Sequence, residues 1–139
     1  MTYATQADMV DRFGEAEVAQ RTNRTDGLTI DTAVLERALT DADAEINSYL
    51  AAHYSLPLPS TPAVLVRLAC DIARHSLYDV AVTETIRTRY EDVVSLLRRF
   101  ASGDVRLEGM VDVADAGIDT AYHAFTPRAI TTESLRGFA

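Results

Sequence analysis

Between Asp31 and Phe100 the apolar residues return every three or four positions, in three stretches separated by prolines and cap residues. That period belongs to helices that bury one face. From Asp31 to about His53, the residues Leu35, Ala38, Leu39, Ala42, Ile46, Tyr49, Leu50 and His53 share one stripe roughly 100° wide. Leu65, Leu68, Ala69, Ile72, Ala73, Ser76 and Leu77 make a second stripe. Ile86, Tyr90, Val93, Val94, Leu97 and Phe100 make a third. The run from Leu56 to Pro62 separates the first two, since proline lacks the backbone donor a helix needs. Its three prolines predict an extended, polyproline-like connector. Thr61 is the expected N-cap of the next helix, with Pro62 at its first position. Thr83 caps the third helix, and Gly103 stops it.

Two shorter helices come earlier. Thr5 with Asp8 reads as a cap with an acidic partner; Met9, Val10 and Phe13 give an apolar face; Gly14 ends it. Glu15 to Arg21 makes a second helix, and Asn23 to Gly27 a loop. After Gly103 no long stripe exists, although Asp104-Val105-Arg106-Leu107 alternates briefly as a short strand does. The expected fold is therefore mainly α. A compact bundle of four to five helices spans residues 1–103, and an extended, partly β or irregular arm spans 104–139. A chain of 139 residues buries enough surface to hold one such core without a metal or disulfide.

Charge narrows the function. The acids number 21 and the bases 13, all of them arginine, for a net charge of −8. That balance argues against a broad nucleic-acid surface or an anionic membrane surface, both of which need clustered cations. Arg87, Arg89, Arg98 and Arg99 make the last helix locally basic, but Glu91 and Asp92 dilute it, and Arg87 is expected to pair with Glu91. Glu36, Asp41, Asp43 and Glu45 make the third helix acidic away from its stripe. Cys70 is the single cysteine, so an intrachain disulfide and a multi-cysteine zinc site are both excluded. The first residues lack a basic and apolar leader, and no apolar run approaches the roughly 20 residues a membrane span needs.

Candidate chemistry is sparse. Asp71 and His75 sit four apart on one helix, a spacing that suits two metal ligands or an oriented general base. No spacing nominates a third ligand, and a helix-surface hydrogen bond explains the pair. His53 reads as a packed or capping residue near a helix end. Cys70 reads as a small buried hydrophobe. The loop at Asp26-Gly27 lacks the bidentate glutamate of a calcium loop. No metal or cofactor is expected, and the chain is not expected to be an enzyme.

Two segments together carry a resemblance. Tyr3-Ala4-Thr5-Gln6-Ala7-Asp8-Met9-Val10-Asp11-Arg12-Phe13-Gly14-Glu15 is the first. The second runs from Leu35 to Leu50, then through Tyr54-Ser55-Leu56-Pro57-Leu58 to Pro62 and Leu68–Arg74; the ending Ser134-Leu135-Arg136-Gly137-Phe138 adds to it. The chain resembles the Mu-like phage and prophage virion proteins, a family of unknown function similar to small helical head–tail connectors, or adaptors. It departs from the pattern at residues 23–30 and at His75 and Ser76.

The resemblance implies a structural protein of the virion neck, made in the host cytoplasm. It would assemble with itself as a ring, with the portal's twelvefold symmetry, and contact the portal and a stopper or tail-side neck protein. DNA would pass through without specific binding. Within that role, Phe125, Ile130, Leu135 and Phe138 are candidate docking anchors in a polar tail. Glu36, Asp41, Asp43 and Glu45 are a candidate acidic channel lining that repels the duplex. The alternatives are a head-completion or tail-side neck protein, a helical DNA-binding regulator, and a small metal-dependent enzyme built on Asp71 and His75.

Overall fold

A computed structural model describes residues 2–110. Five α-helices follow one another: α1 (Gln6–Phe13), α2 (Glu15–Thr22), α3 (Thr32–Leu50), α4 (Ala63–Tyr78) and α5 (Glu84–Ser102). A single 3-10 turn, Asp79–Ala81, joins the last two. There is no strand among the described residues. The fold is thus the mainly α bundle that the apolar periodicity demands.

The helix ends follow local chemistry. The Thr5 hydroxyl accepts from the Asp8 amide while the Asp8 carboxylate accepts from the Thr5 amide, a closed capping box. Asp31 and Thr83 accept from the amides of Val34 and Ile86. Gly14 and Gly103 end α1 and α5 at φ +89° and +84°, where a side chain is strained. A Cβ on Gly103 would also lie 3.2 Å from the His53 ring. His53 itself lies in the turn after α3, not within the helix. The N-cap of α4 is Pro62, one residue beyond Thr61, and no side chain caps it. The connector before it is not a uniform extended run. Its Leu56–Pro57 bond is cis, and Leu58 is buried.

Helices α3 and α4 share the largest interface, and each touches all the other helices. Their buried side chains are the expected stripes, Leu35, Ala38, Leu39, Ala42, Ile46 and Leu50 from α3 and Leu65, Leu68, Ala69, Ile72, Ala73 and Leu77 from α4. Ile86, Val93, Leu97 and Phe100 bring α5 onto them. Ser76 is the exception. It is exposed near the end of α4, where it lines a cleft with Arg21, Arg24 and Arg37. The Arg24 guanidinium closes that end by donating to the Leu77 carbonyl at 3.0 Å, one of the carbonyls a helix end leaves over.

The core extends past the five helices at both ends. Tyr3 and Ala4 are buried before α1. The alternation at 104–107 forms a bend and irregular chain rather than a strand, and Leu107 is buried with its amide donating to the Tyr54 hydroxyl at 2.9 Å. Packing on the bundle therefore continues beyond residue 103.

Candidate functional site

Helices α1, α4 and α5 meet along a cleft of about 390 Å³ lined by Arg12, Phe13, Arg67, Asp71, Arg89 and Asp92. Its charged groups come from three helices because each helix presents the flank of its buried stripe there. Asp71 is only 7% exposed and pairs with Arg67, one turn earlier, at 3.6 Å. Burial raises its carboxyl above the usual value, and the guanidiniums of Arg67, Arg89, Arg12 and Arg74 pull it partly back. Cys70, beside it in sequence, is wholly buried, and burial pushes its thiol up to about 12. A thiol so held packs as a small apolar group.

Asp71 and His75 stay four apart on α4 but have different partners, Arg67 and Tyr90. His75 stacks on Tyr90 with ring centroids 4.1 Å apart and planes 15° from parallel. Tyr90 in turn donates to Glu45 at 2.9 Å, so one tyrosine links α3, α4 and α5. Burial and that bond push the Tyr90 hydroxyl up to about 12. Among the described residues, no cluster of three histidine, cysteine or acidic side chains is placed to hold a metal. Arg87 pairs with Glu84 at 2.9 Å, not with Glu91.

The acidic set on α3 divides. Glu36 and Asp41 are exposed. Asp43 is 7% exposed and accepts the Tyr3 amide at 3.0 Å, so it cannot belong to an open acidic face. The Tyr3 hydroxyl donates to Asn47 one turn on, which covers the same side of α3. Glu45 is half-buried under Tyr90. The helical wheel marked these positions as solvent-facing because the short segment before α1 has no periodicity that would announce it as a lid.

Burial raises the Asp43 carboxyl above its usual value near 3.8, an effect the Tyr3 amide partly offsets. A carboxyl raised on folding holds its proton more tightly in the folded state. Its contribution to stability is full below about pH 4 and is lost as pH rises through the folded value. Asp43→Asn keeps an acceptor for Tyr3 and removes the titration. Its stability relative to the parent is expected to improve as pH rises from about 4 through the folded value, in urea unfolding. A constant difference across that range would contradict the assignment.

The pair that sequence spacing missed is Glu17 with Arg74, 57 residues apart. Arg74 Nε donates to Glu17 Oε2 at 2.7 Å and Arg74 Nη2 to Glu17 Oε1 at 3.1 Å. The guanidinium also lies 4.3 Å over the Phe13 ring. Only a salt bridge between helices that are far apart in sequence produces this, and no local motif signals it. The anchors Phe125, Ile130, Leu135 and Phe138 lie outside the described residues. No helix among those described is long and apolar enough to cross a membrane.

The profile of the family described as "Bacteriophage Mu, Gp36" matches residues 3–120. The Mu-like prophage FluMu protein gp36 of Haemophilus influenzae is 36% identical over 105 residues, covering 76% of this chain and 74% of that protein. Gene product J of Escherichia phage Mu is 38% identical over 105 residues, covering 74% of each. The matched span takes in the capping box, both clamped ends of the bundle and all five helices. The chain belongs to the phage Mu Gp36 family.

Proposed function

We propose that this protein is a structural component of the phage neck, a head–tail connector that forms a ring beneath the portal and surrounds the DNA channel. It acts by assembly rather than catalysis. The observation that carries the reading is the pairing of two facts. Residues 3–120 belong to a family found in a phage and a prophage, and the described fold is a small closed bundle whose buried side chains end at Leu107. The 32 residues after Leu107 include Phe125, Ile130, Leu135 and Phe138 in a polar setting, which suits ordering against a neighbour or the portal. The exposed acids Glu36 and Asp41 suit the channel side, where negative charge keeps the duplex from sticking.

The test is light scattering with negative-stain imaging of the purified protein, alone and with its cognate portal ring. Closed rings, or saturable stacking on the portal, are expected. Deleting residues 120–139 is expected to abolish assembly while leaving the helical circular dichroism and the unfolding midpoint unchanged. Full assembly by the truncated chain removes the tail from the reading. Binding to a tail-side protein with none to the portal moves the protein to another level of the neck.

A further inference from the structure

The sequence contains a single Asp-Gly step, Asp26-Gly27, and it lies in the loop between α2 and α3. Glycine has no side chain to shield its nitrogen from the carboxyl of the residue before it. A fold suppresses attack by that nitrogen when it ties the amide into a helix or a strand. Here it does not. Gly27 stands at φ +67°, and its amide donates no hydrogen bond among the described residues.

The loop is otherwise well fixed. The Asp31 amide donates to the Thr22 hydroxyl at 3.0 Å, and Asn23 Nδ2 donates to the Thr29 hydroxyl at 3.4 Å, so its two ends are held together. Asn23 Oδ1 accepts the amides of Thr25 and Asp26 at 3.1 and 3.4 Å. At the tip, Asp26 Oδ1 accepts the Leu28 amide at 2.9 Å. This is an Asx turn, in which the carboxyl folds back over the peptide that joins it to the next residue. The Asp26 carboxyl is thereby kept beside the Gly27 nitrogen. Asp26 is exposed, so water reaches it.

We propose that Asp26 is a modification site, at which the folded protein converts to isoaspartate without an enzyme. The Gly27 nitrogen attacks Asp26 Cγ in its protonated carboxyl. An N–Cγ bond forms, the Cγ–OH bond breaks, and the hydroxyl leaves with the amide proton as water. Water then opens the five-membered imide at the former main-chain carbonyl. The chain now runs through Cβ and Cγ, and the old carbonyl carbon carries the carboxylate. One water leaves and one enters, so composition is unchanged. The inserted carbon lies two residues after Arg24, whose guanidinium holds the Leu77 carbonyl at the end of α4. The site is independent of the connector reading.

The test incubates the full folded chain at neutral pH and digests samples with trypsin. The peptide Thr25–Arg37 is then separated and fragmented to distinguish aspartate from isoaspartate at equal mass. Isoaspartate is expected to accumulate at Asp26. Asp31, in the same peptide, is expected to stay intact, because branched Thr32 follows it. Asn47 is expected to stay intact too, because the Ser48 amide lies within α3. Gly27→Ala is expected to slow the change at Asp26 roughly tenfold. Alanine at this φ strains the loop, so Asp26→Ser is the second variant; it keeps an acceptor for the Leu28 amide and has no carboxyl. A methyltransferase specific for isoaspartyl carboxylates is expected to label the aged parent and not aged Asp26→Ser, with both folds checked by circular dichroism. Isoaspartate that forms in urea but not in the folded chain overturns the proposal, since the loop then protects the step. So do equal rates at Asp26 and Asp31, an unchanged rate in Gly27→Ala, or equal labelling of Asp26→Ser.

Discussion

Leu68→Ala is expected to lower the unfolding free energy by about 3–5 kcal/mol and the melting temperature by roughly 10–20 °C. Leu68 is wholly buried in α4, one of the two helices that touch all the others. A cavity there cannot close by shifting one neighbour, because each neighbouring helix is held by the rest of the bundle. The loss therefore takes in both the transfer of the side chain and the space left behind. Small domains have only about 5–15 kcal/mol in total, so this one change removes a large share. Urea unfolding of the purified variant gives the number directly. Ser95→Ala, on the exposed side of α5, serves as the reference and is expected within about 0.5 kcal/mol of the parent. A Leu68→Ala loss below about 1 kcal/mol would mean that the α3–α4 interface is not the core.

Arg74→Ala is the second large effect, at about 2–3 kcal/mol. The guanidinium makes two short bonds to Glu17 and lies over Phe13, so it fastens α1 and α2 to α4. Both partners are mostly buried, with side-chain exposures of 18% and 25%, which sets this bridge apart from ordinary surface pairs. Removing the arginine leaves a mostly buried carboxylate behind, and that residue's desolvation adds to the loss. Arg74→Lys retains the charge but not the fork or the flat stacking surface, so it is expected to recover less than half. A double-mutant cycle with Glu17→Gln is expected to return a coupling of about 1 kcal/mol or more. A coupling near zero would show that Arg74 acts only by packing on Phe13.

Much of this fold is legible in the sequence where the physics is local. The stripes on α3, α4 and α5 name the buried leucines because a helix repeats its geometry every 3.6 residues. Thr5, Asp31, Thr83 and Gly103 mark their helix ends because capping involves neighbours in the chain. Errors begin where a loop folds back. Asp43 reads as a surface acid until Tyr3 is placed over it, and the brief alternation at 104–107 reads as a strand until Leu107 is seen to anchor a turn. The Glu17–Arg74 bridge and the arginine cleft join residues from separate helices, and tertiary packing alone brings them together. Family membership was visible in the same residues that build the two ends of the bundle.

Those two ends share a construction. The Tyr3 amide donates to the Asp43 carboxylate and the Leu107 amide to the Tyr54 hydroxyl, so each flank of the bundle is tied down by a side chain rather than by a backbone ladder. Both acceptors belong to α3 or to the turn that follows it. Neither flank frays on its own account, since releasing either one uncovers a buried aromatic or leucine. Their amides are therefore expected to exchange with solvent on the timescale of the whole bundle opening, not of loose chain ends. A piece cut at the last helical residue would leave the Tyr54 hydroxyl without the Leu107 amide.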